Sequence, residues 1–256
     1  MATAKKLNDS SVTVVSSIAS NEYLILTDAN GKTKKILLSN LKTALLGGMD
    51  FNAMYEGVFI MTHRKSDNYP IAYRPDQWTA QQTAGEIADG VLLIEGGRQL
   101  VIAPTECDSG GLYWASSNIS GGGVTTSDRV TVQQDFAGKT NTAAQILHTE
   151  CQGESYAPGF CAAYARANAN GYGLTAGKWW LPSLGELFLM WANFHKINYA
   201  LSLITGATQL PAAAHWSSTE YSASNAWNLI FSNGNQGNNN KSTNRLRVRP
   251  VSAFIS

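Results

Sequence analysis

Charge is scarce in this chain. Only 14% of its 256 residues are Asp, Glu, Lys or Arg, and the net charge is +1. Without a basic excess there is no electrostatic footprint for nucleic acid or for an anionic membrane surface. Cysteine is nearly absent. Cys107, Cys151 and Cys161 are too few, and odd in number, for a disulfide framework. Either Cys151 and Cys161 pair, or all three remain reduced, partly buried thiols. No C-x-x-C pair or Cys/His cluster occurs, so no structural zinc is expected. No apolar run approaches the ~20 residues that span a bilayer, so no membrane insertion is expected. Lys5 and Lys6 precede Val12–Ala19, but that stretch is short and broken by serines. It reads as a strand rather than a secretion signal. The chain is therefore expected to be made in the cytoplasm and to leave by lysis or inside a particle if it works outside.

What is present is apolar and rich in turns. Hydrophobic residues make up 44%, too many for a disordered chain. Seven Trp and 23 Gly point to aromatic anchors under a loop-rich fold. Residues 1–48 stand apart. Ser10–Ser17 alternates like a strand. Glu22–Thr27 and Lys34–Leu38 flank Asp28-Ala29-Asn30-Gly31, a strong hairpin signal. Ser39 caps a short helix, Asn40–Leu46, that Gly47-Gly48 ends. So small a unit buries little core by itself and needs something to dock on.

Residues 49–256 form the second expected domain. Gly57–Thr62, Gly90–Ile94 and Gln99–Ala103 are apolar runs of strand length, the last two joined by Glu95-Gly96-Gly97-Arg98 as a hairpin. Residues 108–124 read as an ordered loop anchored by Tyr113 and Trp114. Asn141–Cys151 has helical patterning, and Phe160–Asn168 continues it. Ser183 reads as an N-cap, with Glu186 completing a capping box. The helix after it runs through Leu187, Leu189, Met190, Trp191 and Phe194 with one core-facing side. Ala226–Phe231 and Arg247–Phe254 read as strands. The overall expectation is an α+β fold.

Between Asn225 and Asn244 lie eight asparagines: Asn225, Asn228, Asn233, Asn235, Asn238, Asn239, Asn240 and Asn244. Such tracts usually signal disorder. Here the tract sits between Trp227 and Phe231 on one side and an apolar terminal strand on the other. It reads as a hairpin whose Asn residues occupy turns and exposed faces. Asn, Ser, Gly and Tyr suit binding loops because they hydrogen-bond adaptably.

Three pieces then occur in order: W-L-P-S-L-G-E-L at 180–187, W-S-S-T-E-Y-S at 216–222 and R-V-R-P-V at 247–251. Together they resemble a bacterial family of C-type-lectin-like domains, over roughly residues 50–256. That family includes surface adhesins and the variable proteins of diversity-generating retroelements, such as phage tropism determinants. Retroelement diversification mutates adenines, and Asn codons are adenine-rich. The resemblance implies a scaffold of Trp216, Ser217, Ser218, Ala226, Trp227, Phe231, Gly234, Arg247, Val248, Arg249 and Pro250. It implies ligand-binding display positions at Tyr221, Ser222, Ser224, Asn225, Asn228, Ile230, Ser232, Asn233, Asn235, Gln236, Asn238, Asn239, Asn240, Ser242, Thr243 and Asn244. The segment Leu26–Ile36 (LTDANGKTKKI) resembles the virion-attachment segments of phage tail fibres. That resemblance implies a homotrimer joined through residues 1–48 to other tail or baseplate proteins, and a place in the virion.

Chemistry is poorly represented. The Glu-Pro-Asn, Gln-Pro-Asp and Trp-Asn-Asp elements that hold calcium in carbohydrate-binding C-type lectins do not occur, and Asp108, Asp128 and Asp135 are too scattered to supply ligands. The fold's formylglycine-generating oxidases need reactive cysteines near the C-terminus, and all three here precede residue 162. His148 lies three residues from Cys151, a spacing that fits two residues on one helix better than a base and its nucleophile. His63, His195 and His215 are isolated, and Glu150 and Glu154 lack a facing partner. Trp179, Trp180, Trp191, Trp216 and Trp227 read as core rather than as a sugar platform. Tyr113 and Tyr221 are the exposed aromatic candidates. The sequence thus leads to a non-enzymatic receptor-binding protein with no cofactor or metal. Its partner would be a bacterial surface protein or glycan; the alternative is a surface adhesin of fixed specificity.

Overall fold

Apolar runs of strand length become central strands. The computed structural model describes residues 23–27, 32–37 and 55–254. The chain divides into two compact units, Met1–Met54 and Tyr55–Ser256. In the first, β1 (Tyr23–Thr27) pairs antiparallel with β2 (Thr33–Leu37), Tyr23 opposite Leu37 and Thr27 opposite Thr33. The strand expected at Ser10–Ser17, the turn at Asp28–Gly31 and the helix at Asn40–Leu46 lie outside the described residues.

The second unit is mixed α and β with antiparallel sheets. β3 (Gly57–His63), β4 (Pro70–Tyr73), β5 (Gly90–Glu95), β6 (Arg98–Ile102) and a short β12 (Val251–Ser252) form a five-stranded sheet in the order β12-β6-β5-β3-β4. β5 lies at its centre and is buried from Gly90 to Ile94, which explains a run without polar alternation. Gly96 and Gly97 join β5 to β6 with φ of 57° and 71°. Two successive positive φ angles are what a two-residue type I′ hairpin demands. The expected strand at Arg247–Phe254 shrinks to Val251–Ser252. Before it, Leu246 and Arg247 make isolated bridges to Leu112 and His215 instead.

Among the described residues, β7 (Arg166–Ala167) and β8 (Gly173–Leu174) make a separate antiparallel pair, and five helices accompany the sheets: α1 (Pro75–Thr83), α2 (Gly138–Gln145), α3 (Ala157–Ala163), α4 (Leu184–Ala192) and α5 (Phe194–Ser202). Two expectations need correction. The helical pattern from Asn141 to Asn168 becomes α2, a single 3-10 turn at Thr149–Cys151, and α3, which ends at Ala163, so that Arg166–Ala167 is strand instead. Pro158 fixes the first turn of α3. Gly159 meanwhile presses so close that an added Cβ would lie 2.3 Å from the Gly153 carbonyl oxygen. The helix after Ser183 also stops short. Asn193 turns its amide back to the Leu189 carbonyl and onto Glu95, and α5 starts afresh at Phe194. No helix among the described residues is long and apolar enough to cross a membrane.

The larger core lies where the five-stranded sheet meets α4, α5 and a second sheet described below. Ile60, Val91, Leu93 and Ile102 pack with Leu184, Leu187, Met190, Ile197 and Leu201. The capping box at the head of α4 forms as its spacing demands, with the Ser183 N–H donating to the Glu186 carboxylate at 2.8 Å. The Trp180 indole N–H adds a second bond at 3.2 Å.

Burial of this carboxyl raises its pKa from an ordinary 4.5 to about 7, against the opposing pull of its Ser183 and Trp180 donors. The folded chain therefore holds a proton there that the unfolded chain releases between pH 4.5 and about 7. Stability tied to Glu186 falls as pH rises through that window. Urea unfolding of the wild type and of Glu186→Gln is expected to show the wild type losing, relative to the variant, on the order of 3 kcal/mol across it.

Candidate binding surface

The Asn-rich segment is built as a three-stranded meander. β9 (Ala214–Glu220), β10 (Asn225–Ile230) and β11 (Asn235–Asn240) run antiparallel in the order β11-β10-β9. Trp227 and Leu229 enter the larger core, while Ala226 and Trp216 belong to a second cluster with Trp114, Leu181 and Val248. At the β10–β11 turn Gly234 has φ of 73°, and a Cβ there would sit 2.5 Å from the Trp191 ring. No other residue fits that position without moving the tryptophan.

The three sequence blocks that carry the family resemblance are hydrogen-bonded to one another. Ser218 N–H donates to the Pro182 carbonyl at 2.8 Å, and Leu184 N–H to the Thr219 hydroxyl at 3.0 Å. Trp180 and Val251 exchange two main-chain bonds, and Trp216 N–H donates to the Arg247 carbonyl. Asp135 completes the junction. Its carboxylate accepts from Thr219, Asn141 and the Ala137 N–H, and its carbonyl accepts from Ser183 and Gly185. Asp135 is therefore a structural hub, a role its isolated place in the sequence does not reveal.

The sixteen display candidates do not share one environment. Ser232, Asn233, Asn235, Asn238 and Thr243 are exposed. Tyr221, Ser222, Ser224, Asn225, Ile230, Asn239, Asn240, Ser242 and Asn244 are half-buried. Asn228 and Gln236 are corrections: they are buried, at 2% and 9% exposure. Asn228 Nδ2 donates to Asn239 Oδ1 at 2.8 Å beside Gly237. Gln236 exchanges amide bonds with the Arg129 carbonyl and Gln133, and its own carbonyl accepts from Arg129 at 2.7 Å.

Much of the tract satisfies itself. Asn225 Nδ2 donates to Asn238 Oδ1 at 2.7 Å, a second cross-strand amide pair. Asn240 Oδ1 accepts from the Ser242 and Thr243 N–H groups and both their hydroxyls, fixing the turn after β11. Asn233 Oδ1 accepts from Asn235 N–H in the other turn. Tyr221 rests edge-on against Trp227, with centroids 5.1 Å apart. The candidates separate into two patches. Residues 221–225 and 238–244 gather at one end of the β10–β11 pair. Residues 230–235 lie at the other, about 17 Å away for a six-residue strand.

Two ion networks fix these ends, and sequence reading finds neither. Lys241 and Glu220 are fully buried and paired. Lys241 Nζ also donates to the Ile119 carbonyl at 2.7 Å and the Ala223 carbonyl at 3.2 Å, and it lies 4.4 Å from the Trp114 ring centroid. Glu220 accepts from the Gly121 and Gly123 N–H groups. Burial lowers the Lys241 pKa and its bond to Glu220 opposes that fall. Elsewhere, Glu106 pairs with Arg247 at 3.2 Å, Arg249 at 3.4 Å and His215 Nε2 at 3.1 Å. The R-V-R block thus serves the interior. The one available signal is that Lys241 is a lone cation inside an Asn run.

None of the cysteines is activated as a thiolate. All three cysteines are free and buried. Burial pushes the Cys107 thiol up to about 11 and the Cys151 thiol up to about 12, and it raises Cys161 well above the ordinary thiol value. Among the described residues no three His, Cys, Asp or Glu side chains converge as metal ligands. The surface offers amides, hydroxyls and one edge-on tyrosine, which hydrogen-bond and stack.

No protein-family model matches the chain, and no curated protein matches it. Among solved structures it is similar to a fimbrial protein from Bacteroides ovatus, at 15% identity and a TM-score of 0.45. The similarity covers 93% of this chain and 49% of that one, so this chain spans about half the length of its structural neighbour.

Substitutions should divide along these lines in urea unfolding. Lys241→Met strands a buried carboxylate and is expected to cost about 3–5 kcal/mol. The double variant Glu220→Gln/Lys241→Met should recover much of that loss. Trp227→Ala should cost about 3–5 kcal/mol, whereas Ser232→Tyr and Asn235→Tyr should stay within about 0.5 kcal/mol of the wild type.

Proposed function

We propose that this chain is a receptor-binding display protein. Its second unit would be a C-type-lectin-like head at the tip of a phage tail fibre, and its first unit would attach the head to the particle as a trimer. One observation supports this most directly. A rigid hydrogen-bonded scaffold carries exposed polar side chains that have no part in holding it together, notably Ser232 and Asn235. This arrangement supports a recognition surface, in which specificity would sit in side chains on a fixed backbone. A partner of standard interface size would bury roughly 800 Å² on each side. In this reading the protein catalyses nothing, and its ligand is a bacterial surface protein or glycan. Trimerisation would turn weak single contacts into avid attachment.

A second reading is an adhesin of fixed specificity, and a specific observation favours it. Asn225, Asn228, Asn238, Asn239 and Asn240 are engaged with one another or with their own turn. A surface under continual diversification gains from positions without such duties.

Two measurements test these readings. The full chain, fluorescently labelled, is titrated onto a panel of bacterial cell envelopes. Tyr substitutions at Asn233, Asn235 and Thr243 are expected to change envelope binding at least about tenfold, or about 1.4 kcal/mol; Tm should stay unchanged for Asn235→Tyr and fall slightly for the other two, whose side chains bond within their turns. Unaltered binding in all three sinks the display reading. Sequencing the gene across a growing population then separates the two readings. Adenine-specific substitutions confined to codons 221–244 mark a diversified surface, and a uniform sequence marks the fixed adhesin.

A further inference from the structure

From Lys241 to Arg249 the chain carries four cations: Lys241, Arg245, Arg247 and Arg249. Three are committed to carboxylates, Lys241 to Glu220 and both Arg247 and Arg249 to Glu106. Arg245 alone has no carboxylate within ion-pair distance among the described residues, and it is exposed. Its guanidinium carbon lies 4.5 Å from the Tyr113 ring centroid.

This stack is held from both sides. Leu112 and Leu246, the neighbours of Tyr113 and Arg245, form an antiparallel bridge with N–H to carbonyl distances of 2.9 and 3.1 Å. Upstream, Asn240 fixes the main chain of the 240–243 turn. A guanidinium seated on an aromatic face loses little further freedom when it meets a ligand. Its remaining donors form a planar fork that matches two acidic oxygens. Its neighbours in the preceding turn, and the residue they bond, carry amides and hydroxyls. Thr243 is exposed, Ser242 and Asn244 are half-buried, and the exposed Asn118 accepts from the Ser242 hydroxyl at 3.2 Å. An acidic group ringed by sugar hydroxyls suits such a patch better than the apolar centre of a protein interface does.

We propose that Arg245, seated on Tyr113, is the anion-reading anchor of the binding surface and takes a carboxylate or phosphate of an acidic surface polysaccharide. This rests on the recognition-surface reading above and names the ligand chemistry of one of its ends. The full chain is immobilised and titrated with polygalacturonate, poly(glycerol phosphate), a neutral galactan and poly-glutamate. One of the two acidic polysaccharides is expected to bind, and which one identifies carboxylate or phosphate as the source. Arg245→Gln should weaken that binding about tenfold with Tm unchanged. Arg245→Lys should fall between, since it keeps the charge but loses the fork. Binding of the galactan as tight as that of the acidic polymers, an Arg245→Gln variant that binds like the wild type, or capture of poly-glutamate alone would each overturn the proposal. Loss of envelope binding in the Asn233, Asn235 and Thr243 variants, with Arg245→Gln silent, would overturn the anchor and leave the recognition surface standing. Silence in all of them would remove both.

Discussion

The Lys241 end of the β10–β11 hairpin depends on one buried ion pair. Lys241 and Glu220 have no contact with solvent, and burying two charges costs several kcal/mol per ion unless their bonds are complete. Here they are. The three ammonium protons go to Glu220, Ile119 and Ala223, and the carboxylate also takes the Gly121 and Gly123 N–H groups. The lysine's main chain extends the same junction. Its N–H bonds the Ser224 carbonyl, and its carbonyl accepts from Trp114 and Ala115. One residue thus ties the β9–β10 loop, the turn after β11 and the 113–123 loop to a core tryptophan. A hydrophobic pair of similar volume would fill the space without fixing which loop meets which. The ion pair gives the end of the hairpin one geometry.

The same logic governs the interior. Asp135 and Glu106 each gather segments distant in sequence, and each is nearly sealed from water. Low dielectric makes a satisfied polar hub strong and a half-satisfied one costly. That is a physical reason for motif blocks rather than motif residues. W-L-P-S, W-S-S-T and R-V-R-P meet around these hubs, so a change in one block strands a partner in another.

Local signals were legible and long-range ones were not. β3, β5 and β6 declare themselves because their apolar runs are continuous, and the Gly96-Gly97 turn because only one hairpin geometry suits two such residues. The Ser183/Glu186 box needs three residues of context. By contrast, the break between α2 and α3 is set by Pro158 and by the contact of Gly159 with Gly153, both hidden under a pattern of apolar spacing. Glu220, Lys241, Glu106 and Arg249 look like surface charges until the fold brings them together. Within the Asn-rich tract the turns read correctly, because Asn and Gly there obey backbone rules. Asn228 and Gln236 did not, because strand alternation places them inward only once the partners of β10 and β11 are known.

An asparagine can be displayed or it can build, and this tract contains both kinds. An amide paired with another across strands presents its remaining donor or acceptor at a fixed angle, so the Asn225–Asn238 pair is at once framework and surface. Asn240 differs: four donors converge on its side-chain oxygen, and only a short oxygen-bearing side chain closes such a turn. Ser232 and Asn235 have neither duty. The surface is therefore graded rather than uniform, with freedom concentrated at the turn over Trp191 and constraint at the end held by Lys241. A ligand that spans both ends would read a fixed pattern at the Lys241 end and an adjustable one at the Trp191 end.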